Sequence, residues 1–198
     1  MRVLVAGATG QTGRRLIDEL MTRGHEPIAL VRKSSDTEVL PKETKLRHGD
    51  LTDLQGDVCE GCDAVVFAAG SGGDTSADMT EQVDRDGAMR LVDLAAKASV
   101  GRFVMLSTVG AESPDPDSKL AHYLQAKHDA DEHLKASGLS YAILRPVSLT
   151  KTDGSRKMRF GDEVDVHGEA ARGDVAAVLA DAVDSSRWAN RTALMQSL

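Results

Sequence analysis

A chain of 198 residues is long enough to bury a sizeable core within one domain. Its net charge of −7, from 24 basic and 31 acidic residues, argues against a nucleic-acid-binding surface and against membrane attachment. With 41% hydrophobic but 3% aromatic residues, the core must be aliphatic and alanine-rich, which suits parallel strands covered by helices. No run approaches the roughly 18 apolar residues of a membrane span, and no basic-then-apolar leader precedes the first strand. The expectation is a cytoplasmic protein, and a monomer, since so few aromatics leave no obvious sticky patch.

The chain opens on an apolar run, Val3 to Ala6, that breaks into glycines at Gly7, Gly10 and Gly13. A helical pattern follows, with Leu16, Ile17 and Leu20 on one face and Gly24 at its end, and Ile28 to Val31 completes a strand–helix–strand unit. The turn after the first strand needs positive φ and close backbone approach, which glycine permits. The first helical amides then lack internal partners and lie at the positive end of the helix dipole, a ready site for a pyrophosphate. The spacing is G-x-x-G-x-x-G, not the common G-x-G-x-x-G. It is not a P-loop either, because Gly7 and Gly13 are too far apart and Arg14-Arg15 stands where Lys-Ser/Thr is required.

Strand-like segments alternate with helical ones from there on. Strands are expected at Lys45 to His48, Ala64 to Ala69, Arg102 to Ser107, Ser140 to Leu144 and Thr192 to Gln196. Helices are expected at Thr80 to Ala98, Lys119 to Ser137 and Val175 to Val183, and a short strand around Val164 to Val166 within the polar stretch Thr150 to Gly173. This alternation predicts an α/β fold, a single doubly wound domain with a parallel sheet and helices on both faces. Ligands of such sheets bind beyond the carboxyl ends of the strands.

At the end of the second strand stand Arg32 and Lys33, where an acidic residue would hold an unphosphorylated ribose. A guanidinium there can clamp a 2′-phosphate, so the reading is NADP. Asp50 and Leu51 could receive the adenine, and the small residues Ala68, Ala69, Gly70, Ser71, Gly72 and Gly73 leave room for ribose and pyrophosphate. Each pattern equally suits plain loop chemistry.

The fifth strand ends in Ser107, and the next helix carries Tyr123 and Lys127 as Y-x-x-x-K on one helix face. An ammonium beside a phenol stabilises the phenolate, drawing its pKa down from about 10. Tyrosine then exchanges a proton with a substrate oxygen, lysine tunes it and grips the nicotinamide ribose, and serine orients the substrate. The bland alternative is a half-buried tyrosine with a lysine snorkelling at the surface.

These features together resemble an atypical short-chain dehydrogenase/reductase, of the group that includes NmrA-like and biliverdin reductase B-like proteins. The matching residues are GATGQTG at Gly7 to Gly13 (with Thr9, Gln11 and Thr12 between the glycines), Arg32, Gly49-Asp50-Leu51, Ala69-Gly70, Ser107 to Ala111, Tyr123 with Lys127, and Arg145 to Leu149. The resemblance covers nearly the whole chain. It implies a Rossmann fold and an NADP site in which Pro146, Val147 and Ser148 lie against the nicotinamide. Some members of the group have lost part of the triad or serve as redox sensors, whereas this chain keeps Ser107, Tyr123 and Lys127, which favours an enzyme. The short segment after the sixth strand disfavours nucleotide-sugar epimerisation, which needs an extended lobe.

The expected function is therefore reduction of a small carbonyl or conjugated acceptor by NADPH, with a non-catalytic NADP(H) sensor as the alternative. No metal site is expected. His122, His128 and His133 share a helix with Asp129, Asp131 and Glu132 but lack H-E-x-x-H spacing, and the i,i+4 pairs His128–Glu132 and Asp129–His133 look like an exposed polar face. Cys59 and Cys62 form C-x-x-C just before a strand, without a second pair, and read as two small residues in a reducing compartment.

Overall fold

The computed structural model describes residues 1–70 and 76–198. The Ser71, Gly72 and Gly73 part of the small-residue turn lies outside the described residues. Among the described residues, ten strands and five α-helices follow in order: β1 Arg2–Ala6, α1 Gln11–Thr22, β2 Glu26–Val31, β3 Lys45–His48, β4 Ala64–Phe67, α2 Ala77–Thr80, α3 Ala88–Lys97, β5 Arg102–Leu106, α4 Ala121–Ala136, β6 Tyr141–Pro146, β7 Ser148–Thr150, β8 Met158–Phe160, β9 Glu169–Ala171, α5 Arg172–Ala182 and β10 Arg191–Ser197.

Eight strands form one sheet in the order β3-β2-β1-β4-β5-β6-β10-β8, parallel throughout except that β8 runs antiparallel to β10. The order reverses between β1 and β4, so the crevice at their carboxyl ends is the place where such a sheet takes a ligand. Two apolar clusters cover the two faces. One packs Leu16, Ile17 and Leu20 of α1 with Val175 and Leu179 of α5 against Val3 and Val5. The other packs Leu91 and Val92 of α3 and Leu134 of α4 against Leu4, Phe67 and Phe103. Burying each such side chain contributes roughly 1.5–3 kcal/mol.

Several expected elements shift for identifiable reasons. β3 is an edge strand with Leu46 at 46% exposure, so it is not the doubly buried run expected of its neighbours. The helix expected from Thr80 begins at Ala77, capped by the Ser76 hydroxyl on the Met79 amide, and residues Glu81–Gly87 are π-helical before α3 continues it. No strand forms at Val164 to Val166. Gly161–Glu163 make a 3₁₀ turn, and Asp165 starts a second turn by accepting the Gly168 amide at 2.9 Å. The strands of this stretch are β7, β8 and β9 instead, where Phe160 meets Trp188 edge-on with ring centroids 5.5 Å apart. They form a short two-stranded sheet and the sheet's far edge, not a separate lobe. No helix among the described residues is long and apolar enough to cross a membrane.

Candidate functional site

The β1–α1 turn is built on close approach. Gly7 has φ +81°, and a Cβ there would sit 2.6 Å from the Ala69 backbone, so the turn after β1 and the turn after β4 touch. At Gly13 a Cβ would fall 2.0 Å from the Gly7 carbonyl oxygen, so only glycine lets α1 start this close to β1. Gly10, the N-cap, is exposed, and a Cβ there would meet only the Gly7 oxygen, at 3.2 Å. The cap offers no side-chain acceptor, and the first turn carries no acidic residue. The amides of Gln11, Thr12 and Gly13 thus face the crevice at the positive end of the dipole, as a bound phosphate requires. These residues fit a dinucleotide.

Arg32 and Lys33 stand exposed immediately after β2. Arg32 lies near enough to Asp50 to help hold that carboxylate below its usual range, although the larger cause is the Thr52 amide bonded to it at 3.0 Å. Asp50 is therefore also the anchor of its own turn. Leu51 is half-buried against the α3 side of the core. Ala68 extends the ladder through its amide to Ala6 at 2.9 Å, and a Cβ on Gly70 would lie 3.3 Å from Asp84 Oδ1. At the end of β6, Pro146 is buried, Val147 turns its side chain into the core at 2% exposure and donates its amide to the Met195 carbonyl at 3.1 Å, and Ser148 is exposed.

The Y-x-x-x-K pair is brought together, but in a different setting from the one expected. Lys127 is 3% exposed, and its ammonium lies 2.9 Å from the fully buried Asp84 Oδ1, on the π-helical turn. The same nitrogen stands 5.7 Å from the Tyr123 ring centroid and 5.6 Å from that of Phe67. Burial pulls the ammonium toward the neutral form, yet Asp84, Tyr123 and Asp131 outweigh it and hold Lys127 above the ordinary lysine range. It is a buried, paired cation and not a snorkelling one.

Ser107, 4% exposed, donates its hydroxyl to Asp131 Oδ2 at 2.8 Å. Arg145, on β6, closes on the same oxygen through Nε at 3.0 Å and a terminal nitrogen at 2.9 Å. Burial pushes the Asp131 carboxyl upward against the opposing pull of Arg145 and the Ser107 bond. With its proton committed to Asp131, the Ser107 hydroxyl keeps only acceptor lone pairs. Asp131 is fully buried, one turn after Lys127, on the stripe of Ala126, Ala130 and Leu134. Asp84, Asp131 and Arg145 complete a buried ionic layer under the site. A sequence signal existed in Arg145, a charge inside the otherwise apolar strand AILRP.

The histidines take separate partners. His133 Nε2 meets Asp93 at 2.6 Å, His128 Nδ1 meets the Ala111 carbonyl at 2.8 Å, and His122 is exposed. Among the described residues no group of three metal-ligating side chains converges. Cys59 and Cys62 are free and buried in a turn, and burial pushes the Cys59 thiol up to about 12, so neither is placed as a reactive thiolate.

Against known proteins, the family pattern described as NAD(P)H-binding matches residues 7–186. The chain belongs to this NAD(P)H-binding family. It is 36% identical to the uncharacterized sugar epimerase YhfK of Bacillus subtilis, covering 96% of this chain and 92% of that one. A solved structure from Bacillus halodurans, provisionally described as an NAD-dependent epimerase/dehydratase, superposes with a TM-score of 0.94 at 37% identity over 100% of this chain and 94% of that one. The oxidoreductase YlbE of Lactococcus lactis gives a TM-score of 0.87 at 29% identity, over 100% and 91% of the two chains. The match spans the glycine turn, the Tyr123/Lys127 helix and the start of α5, and the superpositions place the whole chain on a Rossmann-like sheet.

Proposed function

We propose that this NAD(P)H-binding protein is a reductase that uses NADPH to reduce a small carbonyl or conjugated acceptor. The observation that carries the reading is the placement of Tyr123, with the Lys127 cation beside it and near the end of β5, at the carboxyl edge of the sheet, where α1 also starts uncapped. Bound at that edge, NADPH supplies the hydride. Tyr123 gives the substrate oxygen its proton, and the ammonium beside the ring stabilises the phenolate left behind. Asp84 fixes where that ammonium sits, so Lys127 acts on Tyr123 from a rigid position. The Ser107 lone pair is suited to accept from the hydroxyl of the alcohol product. Arg32 and Lys33 support a preference for NADP, because they put two cations where a 2′-phosphate falls.

The relatives carry both epimerase and oxidoreductase names. The reductase reading is the one that needs no sugar-binding lobe, and residues 148–171 build only short strands. That same economy favours a second reading, a sensor of the NADP/NADPH ratio without chemistry. NADPH consumption against quinones, aldehydes and flavins separates the two. Turnover with at least one acceptor, falling by about 10²–10⁴-fold in Tyr123→Phe, is the expected result. Tight NADP(H) binding without oxidation by any acceptor would leave the sensor.

A further inference from the structure

Arg172 opens α5 and belongs to no motif singled out in the sequence. One of its terminal nitrogens donates to the Thr12 hydroxyl, the second residue of α1, at 2.9 Å. Its Nε is buried and, among the described residues, has no hydrogen-bond partner. A solvated surface arginine keeps water on that nitrogen, so simple snorkelling does not account for it. The neighbouring cation, Arg15, is satisfied differently: it pairs with Asp153 at 2.7 Å and donates to the Gln11 and Lys151 carbonyls. Arg172 has no carboxylate paired with it among the described residues. The charges acting on it are the repelling Arg15 and the phenol of Tyr123, and burial together with Arg15 draws it below the ordinary arginine range. A half-buried guanidinium in this position needs an anion that the described part of the chain does not supply.

We propose that Arg172 is an oxyanion-binding residue, closing from α5 on an anionic group held at the start of α1, between Thr12 and Tyr123. This rests on the dinucleotide reading above and extends it to a residue outside the glycine turn. The bond to Thr12 puts the anion with the diphosphate bridge of the cofactor. A carboxylate or phosphate on the substrate is the other source of the same chemistry.

Calorimetric titration of the purified chain with NADP⁺, and separately with inorganic diphosphate, distinguishes them. Arg172→Met keeps the length of the stem and removes the charge; Arg172→Lys keeps the charge and serves as the comparison should the methionine variant melt early. The expected result is a loss of about 10- to 100-fold for both probes in Arg172→Met and a smaller loss in Arg172→Lys. Unchanged NADP⁺ affinity, with KM rising by that factor only for acceptors that carry a carboxylate or phosphate, would assign the anion to the substrate. A folded Arg172→Met variant within about twofold of the parent for both probes and for both acceptor classes would overturn the proposal. Should the parent bind diphosphate through Arg172 and yet take up no NADP⁺, the dinucleotide reading would fail while the anion site stood.

Discussion

Lys127→Met is expected to destabilise the protein by about 3–5 kcal/mol, because it leaves the Asp84 carboxylate in a buried layer without its cation. In a chain of this size that corresponds to a fall in Tm on the order of 10 °C. The double variant Asp84→Asn/Lys127→Met removes both charges and should recover a large part of the loss, which denaturant titration of the four-member cycle would measure. Simple additivity of the two single losses would show that the pair is not coupled. The folded Lys127 value lies above the ordinary 10.5, so the stabilisation it brings is fully present at neutral pH. It is lost only as alkaline pH rises through the folded value. The gap between parent and variant should therefore be flat from about pH 6 to 9 as far as Lys127 is concerned. For activity, a dead Lys127 variant proves nothing until its fold has been checked.

The second large effect is at the glycine turn, where two neighbouring glycines should fail in different ways. Gly13→Ala places a methyl group 2.0 Å from the Gly7 oxygen and 2.8 Å from the Ala8 Cα, both backbone atoms that cannot swing aside. The start of α1 must back away from β1, at about 3 kcal/mol or more, and the outward-facing amides are lost with it. Gly10→Ala meets only the Gly7 oxygen at 3.2 Å, so its cost in stability should stay near 1 kcal/mol or below. Its methyl group instead occupies the exposed approach to the helix amides, and dinucleotide affinity should drop by at least about tenfold. Thermal melts with and without NADP⁺ would resolve the contrast. A Gly13→Ala variant as stable as the parent would mean that the close contact is not what the turn depends on.

Much of this fold can be read in the order of the chain. Apolar runs at Val3 to Ala6, Ala64 to Phe67 and Phe103 to Leu106 are buried on both faces, and such runs announce a parallel sheet by composition alone. The glycine turn and Y-x-x-x-K are local patterns and survive as such. What the sequence hides is pairing between distant elements. Nothing in Glu81–Gly87 advertises a π-helical turn that aims Asp84 at Lys127, and nothing about an aspartate at position 131 announces its burial, although its spacing puts it on the stripe of Ala126, Ala130 and Leu134. Arg172 was missed because its significance lies in a missing partner, which only three dimensions reveal. The strands β7 to β9 are too short for periodicity to register.

The most direct trial of the account is a calorimetric comparison of NADP⁺ with NAD⁺ on the purified chain, repeated with Arg32→Glu. Binding of NADP⁺ at least about tenfold tighter than NAD⁺, with that preference abolished in the variant, is the predicted result. Uptake of neither dinucleotide would contradict the account at its root, and a preference for NAD⁺ would remove the role given to Arg32.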